Sequence, residues 1–185
     1  MQLIGTKGVI AEVNDDKKLE TRSVQISALH AASLKGNAFA WNAISSNLAT
    51  TDCLILVSNT SDSQNLVIAH CYFEGDIVGQ MDFKLCDTTG LTLAGTAIIG
   101  VNLNRTSGKI APASAWAGET ASPATTVFYT HYQTLPYAAV NGIMNKVDFE
   151  SAIILGKNQA FGIDTILEPA AGYEATVIGY YIDKE

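Results

Sequence analysis

The sequence predicts an all-β protein, a single β-sandwich of jelly-roll type with at most one short helix. About eight to ten short runs rich in β-branched and aromatic residues follow one another along the 185 residues, and turn-forming residues separate them. Only the stretch from Ser27 to Lys35 has a helix-favouring composition, and no segment closely repeats another. Regularly spaced short strands are typical of sandwiches, and eight strands suit a jelly roll.

The stretch from Asp52 to Phe73 carries the strongest strand signal in the chain. Two continuous apolar runs flank a polar connector, residues 59–65, whose Asn, Ser, Thr and Asp side chains favour turns. Both runs are short and rich in Val and Ile, so each is interpreted as a strand, and together they predict a β-hairpin. Because neither run alternates cleanly, we expect both faces of each strand to be covered, in a sandwich or an intimate assembly.

The first 35 residues are predicted to form an N-terminal arm, and residues 36–185 the single sandwich domain. Residues 1–8 are expected to be a loose start. Two weakly amphipathic runs, residues 9–13 and 19–26, predict a small hairpin or an extended arm.

The one predicted helix covers residues 28–34. Ser27 is placed to cap its start, and Gly36 is placed to end it. A helix of two turns is marginal without packing, so an irregular arm is the alternative.

Alternation of period two is clearest between Val78 and Leu85. One side carries polar residues and the other apolar residues, which predicts a strand with one wet face. The polar side comprises Val78, Gln80, Asp82 and Lys84, and the apolar side comprises Gly79, Met81, Phe83 and Leu85. Further strands are predicted over residues 38–44, 125–132, 146–155, 160–166 and 173–182, with a broken β segment over residues 91–103.

Residues 104–123 are rich in Gly, Ala, Ser and Pro and predict a long loop. Loops of this length in compact domains are usually functional or are insertions. Trp116 lies in its midst. Its side chain is expected either to be exposed and to contact a partner, or to fold back and fill a gap in the core of the sandwich.

The composition favours an assembly and disfavours nucleic acid and membrane as partners. Charged residues make up 16% of the chain, against about 25% in a typical protein, so part of the surface is expected to be covered by other protein. Coverage by Thr, Ser, Asn and Gln is the alternative. The net charge of −7 and the scattered basic residues argue against binding phosphates. No apolar run approaches the roughly 20 residues of a membrane span, and residues 1–5 lack the features of a signal peptide.

The sequence assigns no catalytic, cofactor-binding or metal-binding residue, and no cofactor. Cys53, Cys71 and Cys86 are expected to be buried free thiols. A Cys53–Cys71 disulfide is conceivable if their strands pair.

The histidines and acidic residues give no clearer signal. The histidines His30, His70 and His131 lack metal-binding spacing, although the last two could meet across a sheet. Asp82 and Asp148 either face each other as a carboxylate pair or lie on solvated faces.

Three parts of the chain carry a resemblance to a known group of proteins. They are residues 8–14 with 22–24 and 36–42 near the start, residues 53–60 with 66–68 in the middle, and residues 172–181 at the end. In order and spacing these segments resemble small virion structural proteins of tailed bacteriophages, of the head-decoration or capsid-stabilising (cement) type. The resemblance implies a jelly-roll sandwich, a non-enzymatic role, assembly in the cytoplasm of a bacterial host and residence in the virion.

The expected function is therefore that of a structural protein that decorates or stabilises a phage capsid as a symmetric oligomer. Its expected partners are itself, as a homotrimer, and the major capsid protein or other virion proteins. The alternative is a carbohydrate- or receptor-binding sandwich of a tail or baseplate. Candidate stacking residues for that alternative are Trp41, Trp116, Tyr129, Tyr132 and Tyr137.

Overall fold

A computed structural model describes residues 2–4, 9–13, 19–23, 26–45, 53–75, 79–119, 125–133, 144–165 and 172–184. Within these ranges the chain forms one helix and fourteen strands. The helix is α1 (Ala28–Leu34). The strands are β1 (Gln2–Ile4), β2 (Val9–Val13), β3 (Leu19–Ser23), β4 (Ala38–Ser45), β5 (Cys53–Asn59), β6 (Gln64–Gly75), β7 (Gly79–Asp87), β8 (Thr96–Ile98), β9 (Val101–Asn102), β10 (Ala113–Glu119), β11 (Thr125–Gln133), β12 (Asn145–Leu155), β13 (Gln159–Thr165) and β14 (Tyr173–Asp183).

The strands form three antiparallel sheets. One has six strands in the order β11-β7-β13-β5-β10-β8, and one has five in the order β12-β6-β14-β4-β9. The third consists of β1, β2 and β3, which pair in chain order. The predicted small hairpin is therefore confirmed, over Val9–Val13 and Leu19–Ser23. The loose start expected over residues 1–8 is wrong at Gln2–Ile4, which pair with β2, and its other residues lie outside the described ones.

The two large sheets pack face to face, which confirms the predicted all-β sandwich. Their shared core holds a cluster of aromatic rings from both sheets. The Phe83 ring stacks on that of Phe161 with centroids 6.1 Å apart, and meets the rings of Phe73 and Phe149 edge-on at 5.8 and 5.9 Å. Offset and edge-to-face contacts of this kind add to the stabilisation that apolar burial gives.

The predicted hairpin over Asp52 to Phe73 is wrong, although both of its strands exist. β5 lies in the six-stranded sheet between β13 and β10, while β6 lies in the five-stranded sheet between β12 and β14. The connector carries the chain from one sheet to the other. The two strands separate because both runs are apolar. In the middle of its own sheet each strand has a neighbour on either side, and this position buries its apolar residues. The predicted covering of both faces is confirmed for β5, in which all seven residues are buried.

Asn59 fixes the connector where it leaves β5. Its buried amide Nδ2 donates to the carbonyl oxygens of Gln64 and Leu155, at 3.0 and 2.9 Å. Its Oδ1 accepts from the Ser61 backbone N–H at 2.9 Å. One side chain thereby bonds three backbone groups at the point where the chain crosses between the sheets.

The predicted helix is confirmed, with both of its expected end signals. The Ser27 hydroxyl accepts from the His30 N–H at 3.1 Å, and Gly36 follows the helix with φ of +70°. Ala32 packs α1 onto the outer face of the five-stranded sheet, against Ala69 and Tyr180. This packing compensates for the short length of the helix. The division into an arm and a sandwich at residue 35 stays a prediction.

The predicted loop over residues 104–123 is wrong over Ala113–Glu119, because this part is β10, which pairs with both β5 and β8. Its inward residues are alanines that pack against the shared core. Alanine, serine and glycine are depleted in strands, so the composition of the segment conceals a strand that packing stabilises.

We expect Leu54→Ala to lower the free energy of unfolding by roughly 2–5 kcal/mol, because it removes buried methyl groups and leaves a cavity. Leu54 is fully buried in the shared core. Ile44→Ala is the matched control, since Ile44 is 69% exposed on β4 and its loss should cost no more than about 0.5 kcal/mol. Denaturant unfolding followed by circular dichroism measures both. Equal losses in the two variants would contradict this view of the core.

A candidate assembly surface and a buried charge cluster

The three histidines are not brought together. His30 lies on α1 and is exposed, and His70 is half-buried on β6, where its ring meets that of Tyr72 at 5.3 Å. His131 lies on β11, which belongs to the other large sheet, so the expectation that His70 and His131 meet across one sheet is wrong. Burial and the nearby Lys146 lower the pKa of His70. No group of three or more metal-ligating side chains occurs among the described residues.

The three cysteines are buried free thiols, as predicted. Cys71 lies in the shared core, whereas Cys53 and Cys86 lie on the outer face of the six-stranded sheet. Because β5 and β6 belong to different sheets, the alternative that rested on their pairing, a Cys53–Cys71 disulfide, is not found. Burial raises the pKa of Cys71 to about 12 and that of Cys86 to about 11, and raises the pKa of Cys53 further.

Of the five aromatic residues considered for sugar stacking, the structure describes the side chains of Trp41 and Trp116. Trp41 is fully buried in the shared core, and its indole nitrogen has no hydrogen-bond partner among the described residues. Trp116 is half-buried on the outer face of the six-stranded sheet, against Cys53, Leu56, Cys86 and Ala160. It is therefore neither of the two things expected, a free contact residue or a plug inside the sandwich. The side chains of Tyr129 and Tyr132, and all of Tyr137, lie outside the described residues.

The outer face of β7 is not wet, which corrects the prediction made from its alternation. Asp82 is 5% exposed, and the Lys84 side chain is 14% exposed. A further layer covers part of this face. Leu93 packs there, and the Glu119 carboxylate accepts from the N–H groups of Ala94 and Gly95 at 3.2 and 2.8 Å. The alternation of polar and apolar residues correctly assigns the polar side chains of β7 to its outer face. It does not show that another segment of the chain covers part of that face.

Asp82 and Asp148 do not face each other. Asp148 is exposed on β12, in the five-stranded sheet. The residue opposite Asp82 is Asp164 of β13, which is 3% exposed and forms an ion pair with Lys84. We call Asp82, Lys84 and Asp164 the charge cluster. No sequence signal links Lys84 to Asp164, because the strand register alone brings them together.

Burial dominates the electrostatics of the charge cluster. It raises the pKa of the Asp164 carboxyl, although the contact with Lys84 acts in the opposite direction. Asp164 Oδ1 is buried and has no hydrogen-bond partner among the described residues. Asp82 Oδ1 accepts from the Gln80 amide at 3.2 Å. The Lys84–Asp164 ion pair and the Asp82 carboxylate therefore lie together on one largely buried face of β7 and β13.

A second feature is a group of exposed apolar side chains on α1 and on the segment of residues 99–110 that bonds to the end of α1, which we call the apolar rim. Ile99 and Ile110 are 82% and 81% exposed, an unusual degree for isoleucine. The rim consists of Leu34, Ile99, Val101, Leu103 and Ile110. It lies at the edge of the five-stranded sheet, where β9 pairs with β4.

Three side chains of the segment that carries the rim fix it to the end of α1. The Asn104 amide donates to the Leu34 carbonyl at 3.2 Å, and the Asn102 amide to the Gly36 carbonyl at 3.0 Å. The Lys109 ammonium group donates to the Lys35 carbonyl at 3.0 Å. The last carbonyls of a helix lack partners within the helix, so these contacts satisfy the groups that most need them. They hold the rim in a defined place instead of on a free loop.

The rim also differs from the rest of the chain in charge. Residues 26–45 and 88–112, which carry or adjoin it, contain no Asp or Glu but contain Lys35, Arg105 and Lys109. The whole chain has a net charge of −7. The rim is thus an apolar surface with basic residues on an otherwise acidic protein.

Comparisons of the chain with models of protein families, with curated proteins and with solved structures gave no match. Among the described residues, no helix has the length and apolar character needed to cross a membrane.

We expect Gly36→Ala to destabilise the protein by about 1 kcal/mol or more, because Gly36 has φ of +70° and an added Cβ would meet the Ser107 side chain at 2.1 Å. Gly108→Ala is the matched control in the same region, since its Cβ would meet nothing within 4 Å. Thermal unfolding of both variants tests this. A control variant as unstable as Gly36→Ala would show that the contact between α1 and the rim segment is not the cause.

The cysteines should react slowly with a thiol reagent at pH 8 in the folded protein. Reaction requires the thiolate, and burial raises the pKa of Cys71 to about 12 and of Cys86 to about 11. Addition of denaturant should expose three reactive thiols, which absorbance counts directly. A thiol that reacts in the folded protein as fast as free cysteine would overturn the assignment.

Proposed function

We propose that the protein is a non-enzymatic structural protein of a bacteriophage particle, which decorates or stabilises the capsid as a symmetric homo-oligomer. The observation that carries the proposal is the apolar rim, which is exposed and yet fixed by hydrogen bonds to α1. An exposed apolar surface in a defined position costs solubility unless it meets a partner. The resemblance of the sequence to phage decoration and cement proteins is the reason for proposing a bacteriophage particle as the larger assembly.

A second copy of the chain is the proposed occupant of the rim. The segments that carry the rim hold basic residues and no acidic ones, whereas the chain as a whole has a net charge of −7, so a second copy offers acidic residues with which the basic ones can pair. Contact between two different surfaces of identical subunits generates a ring when the rotation closes, and a trimer is the smallest such ring. The low charged fraction of 16% fits a chain that buries surface against copies of itself.

We infer further that the sandwich is of jelly-roll type. The support is the strand order, with the five-stranded sheet containing β12-β6-β14-β4 and the six-stranded sheet containing β11-β7-β13-β5. Along the chain these eight strands form one long hairpin, in which β4 pairs with β14, β5 with β13, β6 with β12 and β7 with β11. Successive pairs of this hairpin lie alternately in the two sheets, which is the arrangement of a jelly roll. The short strands β8, β9 and β10 then extend this framework at one side.

Self-association is tested with the double variant Ile99→Ser, Ile110→Ser. We expect the unaltered protein to scatter light as a trimer at micromolar concentration, and the double variant to scatter as a monomer with the same circular dichroism spectrum. Ile44→Ser is the matched control, because Ile44 is 69% exposed but lies towards the other end of β4. A trimer interface should bury more than ~1,000 Å².

Attachment to a particle is tested separately, by mixing the protein with capsids that lack it and locating new density by electron microscopy. Bound density on the capsid lattice, lost or weakened in the double variant, is the expected result. A clean monomer mass together with no binding to such capsids would contradict both parts of the proposal. Binding to glycans in a screen, without capsid binding, would favour the alternative of a sugar-binding module.

A further inference from the structure

The charge cluster combines three groups on adjacent strands of the six-stranded sheet. Lys84 of β7 and Asp164 of β13 form an ion pair between side chains that are 14% and 5% exposed. Asp82 precedes Lys84 by two residues on the same face of β7, and its Cα lies directly opposite that of Asp164. An amine and two carboxyl groups are thus held together in a site that is almost free of water.

Lys84 lies diagonally opposite Asp164 across β7 and β13, with Gly162 between them in the register. In the strand register Lys84 lies opposite Gly162, and Asp164 is the next residue of β13 on the same face. Diagonal pairs of this kind lie within reach of a long side chain. A Cβ at Gly162 would meet Cys53 Sγ at 2.8 Å and Leu56 Cδ1 at 3.2 Å, so side chains of β5 close over the glycine from the other side.

Apolar groups border the pair formed by Lys84 and Asp164. Cys53 and Leu56 lie beside the cluster, and burial raises the pKa of the Asp164 carboxyl. A raised pKa favours the protonated acid, whose carbonyl carbon an amine can attack. Transfer of one proton from the ammonium group to the carboxylate gives the neutral amine and neutral acid that a condensation between the two groups requires.

We propose that Lys84 Nζ and Asp164 Cγ join in an intramolecular amide bond, with Asp82 as the proton-transfer group. The bond is a covalent modification of the chain by its own side chains. It links β7 to β13 inside the six-stranded sheet, and it requires no bound ligand.

The reaction balances without an oxidant, a reductant or a further reactant. The lone pair of the neutral Lys84 amine attacks Cγ of the protonated Asp164 carboxyl and forms the C–N bond. The Asp82 carboxylate takes the proton that the nitrogen releases and passes it to the departing hydroxyl group. The C–O bond breaks and one water molecule leaves, so amine and acid become amide and water. In solution such a condensation requires an activated acid. Here the fixed positions of the amine, the acid and the proton-transfer group take the place of that activation.

The intact mass of the purified, denatured protein tests the bond. We expect a mass lower than that of the sequence by one water molecule, and a digest that contains one branched peptide joining the segments around Lys84 and Asp164. Lys157 and Asp62 are the internal control, because they also form an ion pair, at 2.6 Å, but are 47% and 81% exposed. No branched peptide should join that pair.

Three variants make the test specific. Lys84→Arg keeps the charge but lacks the primary amine, so it should show its full sequence mass. Asp82→Asn keeps both partners but lacks the proton-transfer group, so the freshly purified variant should also show its full mass. Asp164→Asn should still form the bond but lose ammonia in place of water. Circular dichroism checks that each variant is folded.

The full sequence mass in the folded, unaltered protein would overturn the proposal, whatever the variants do. Loss of water without the branched peptide would also overturn it, because that result places the dehydration elsewhere. The branched peptide in the Asp82→Asn variant, formed as fast as in the unaltered protein, would remove the role given to Asp82. None of these results depends on capsid binding, so the bond and the proposed function can fail independently.

Discussion

The burial of both faces of β5 is the constraint on which the rest of the structure depends. Its inner face packs into the core shared by the two large sheets, so its outer face needs a further cover. Trp116 and Leu93 supply that cover, and Glu119 holds the backbone of residues 94–95 in place. The apolar residues that make β5 a central strand thus require a third layer, and this layer extends over part of a face that also carries charged side chains.

Asparagine side chains form hydrogen bonds to backbone groups at two places where regular strand pairing stops. Asn59 bonds three backbone groups at the crossing between the sheets. Asn102 and Asn104 bond the last carbonyls of α1 and also accept N–H groups within their own segment. An amide group suits such places because it both donates and accepts, and can therefore stand in for a missing backbone partner. Asparagine amides thus fix both the crossing between the sheets and the segment that carries the apolar rim.

The sequence predicts the sandwich, most of its strands and the helix, because these follow from local apolar patterns and end signals. It does not predict which strands pair, since the hairpin expected at Asp52 to Phe73 is divided between two sheets. It conceals β10, whose alanines acquire strand geometry from their neighbours and not from their own propensity. The charge cluster is equally hidden. Lys84 and Asp164 are 80 residues apart, and only the register of β7 with β13 makes them neighbours. The pattern within each strand indicates its faces, but it does not show that these two distant strands are neighbours.

The two large sheets end unequally, and this determines how the protein can aggregate. At one side they end in β8 and β9, which are three and two residues long and offer few free backbone groups to another sheet. At the other side, the long edge strand β12 loses its regular pairing with β6 between Asp148 and Ile153, where Glu150 and Ser151 adopt positive φ. Short edges and bulged edges both hinder the addition of a foreign strand. These edges are therefore protected against fibre-like growth through backbone hydrogen bonds between molecules.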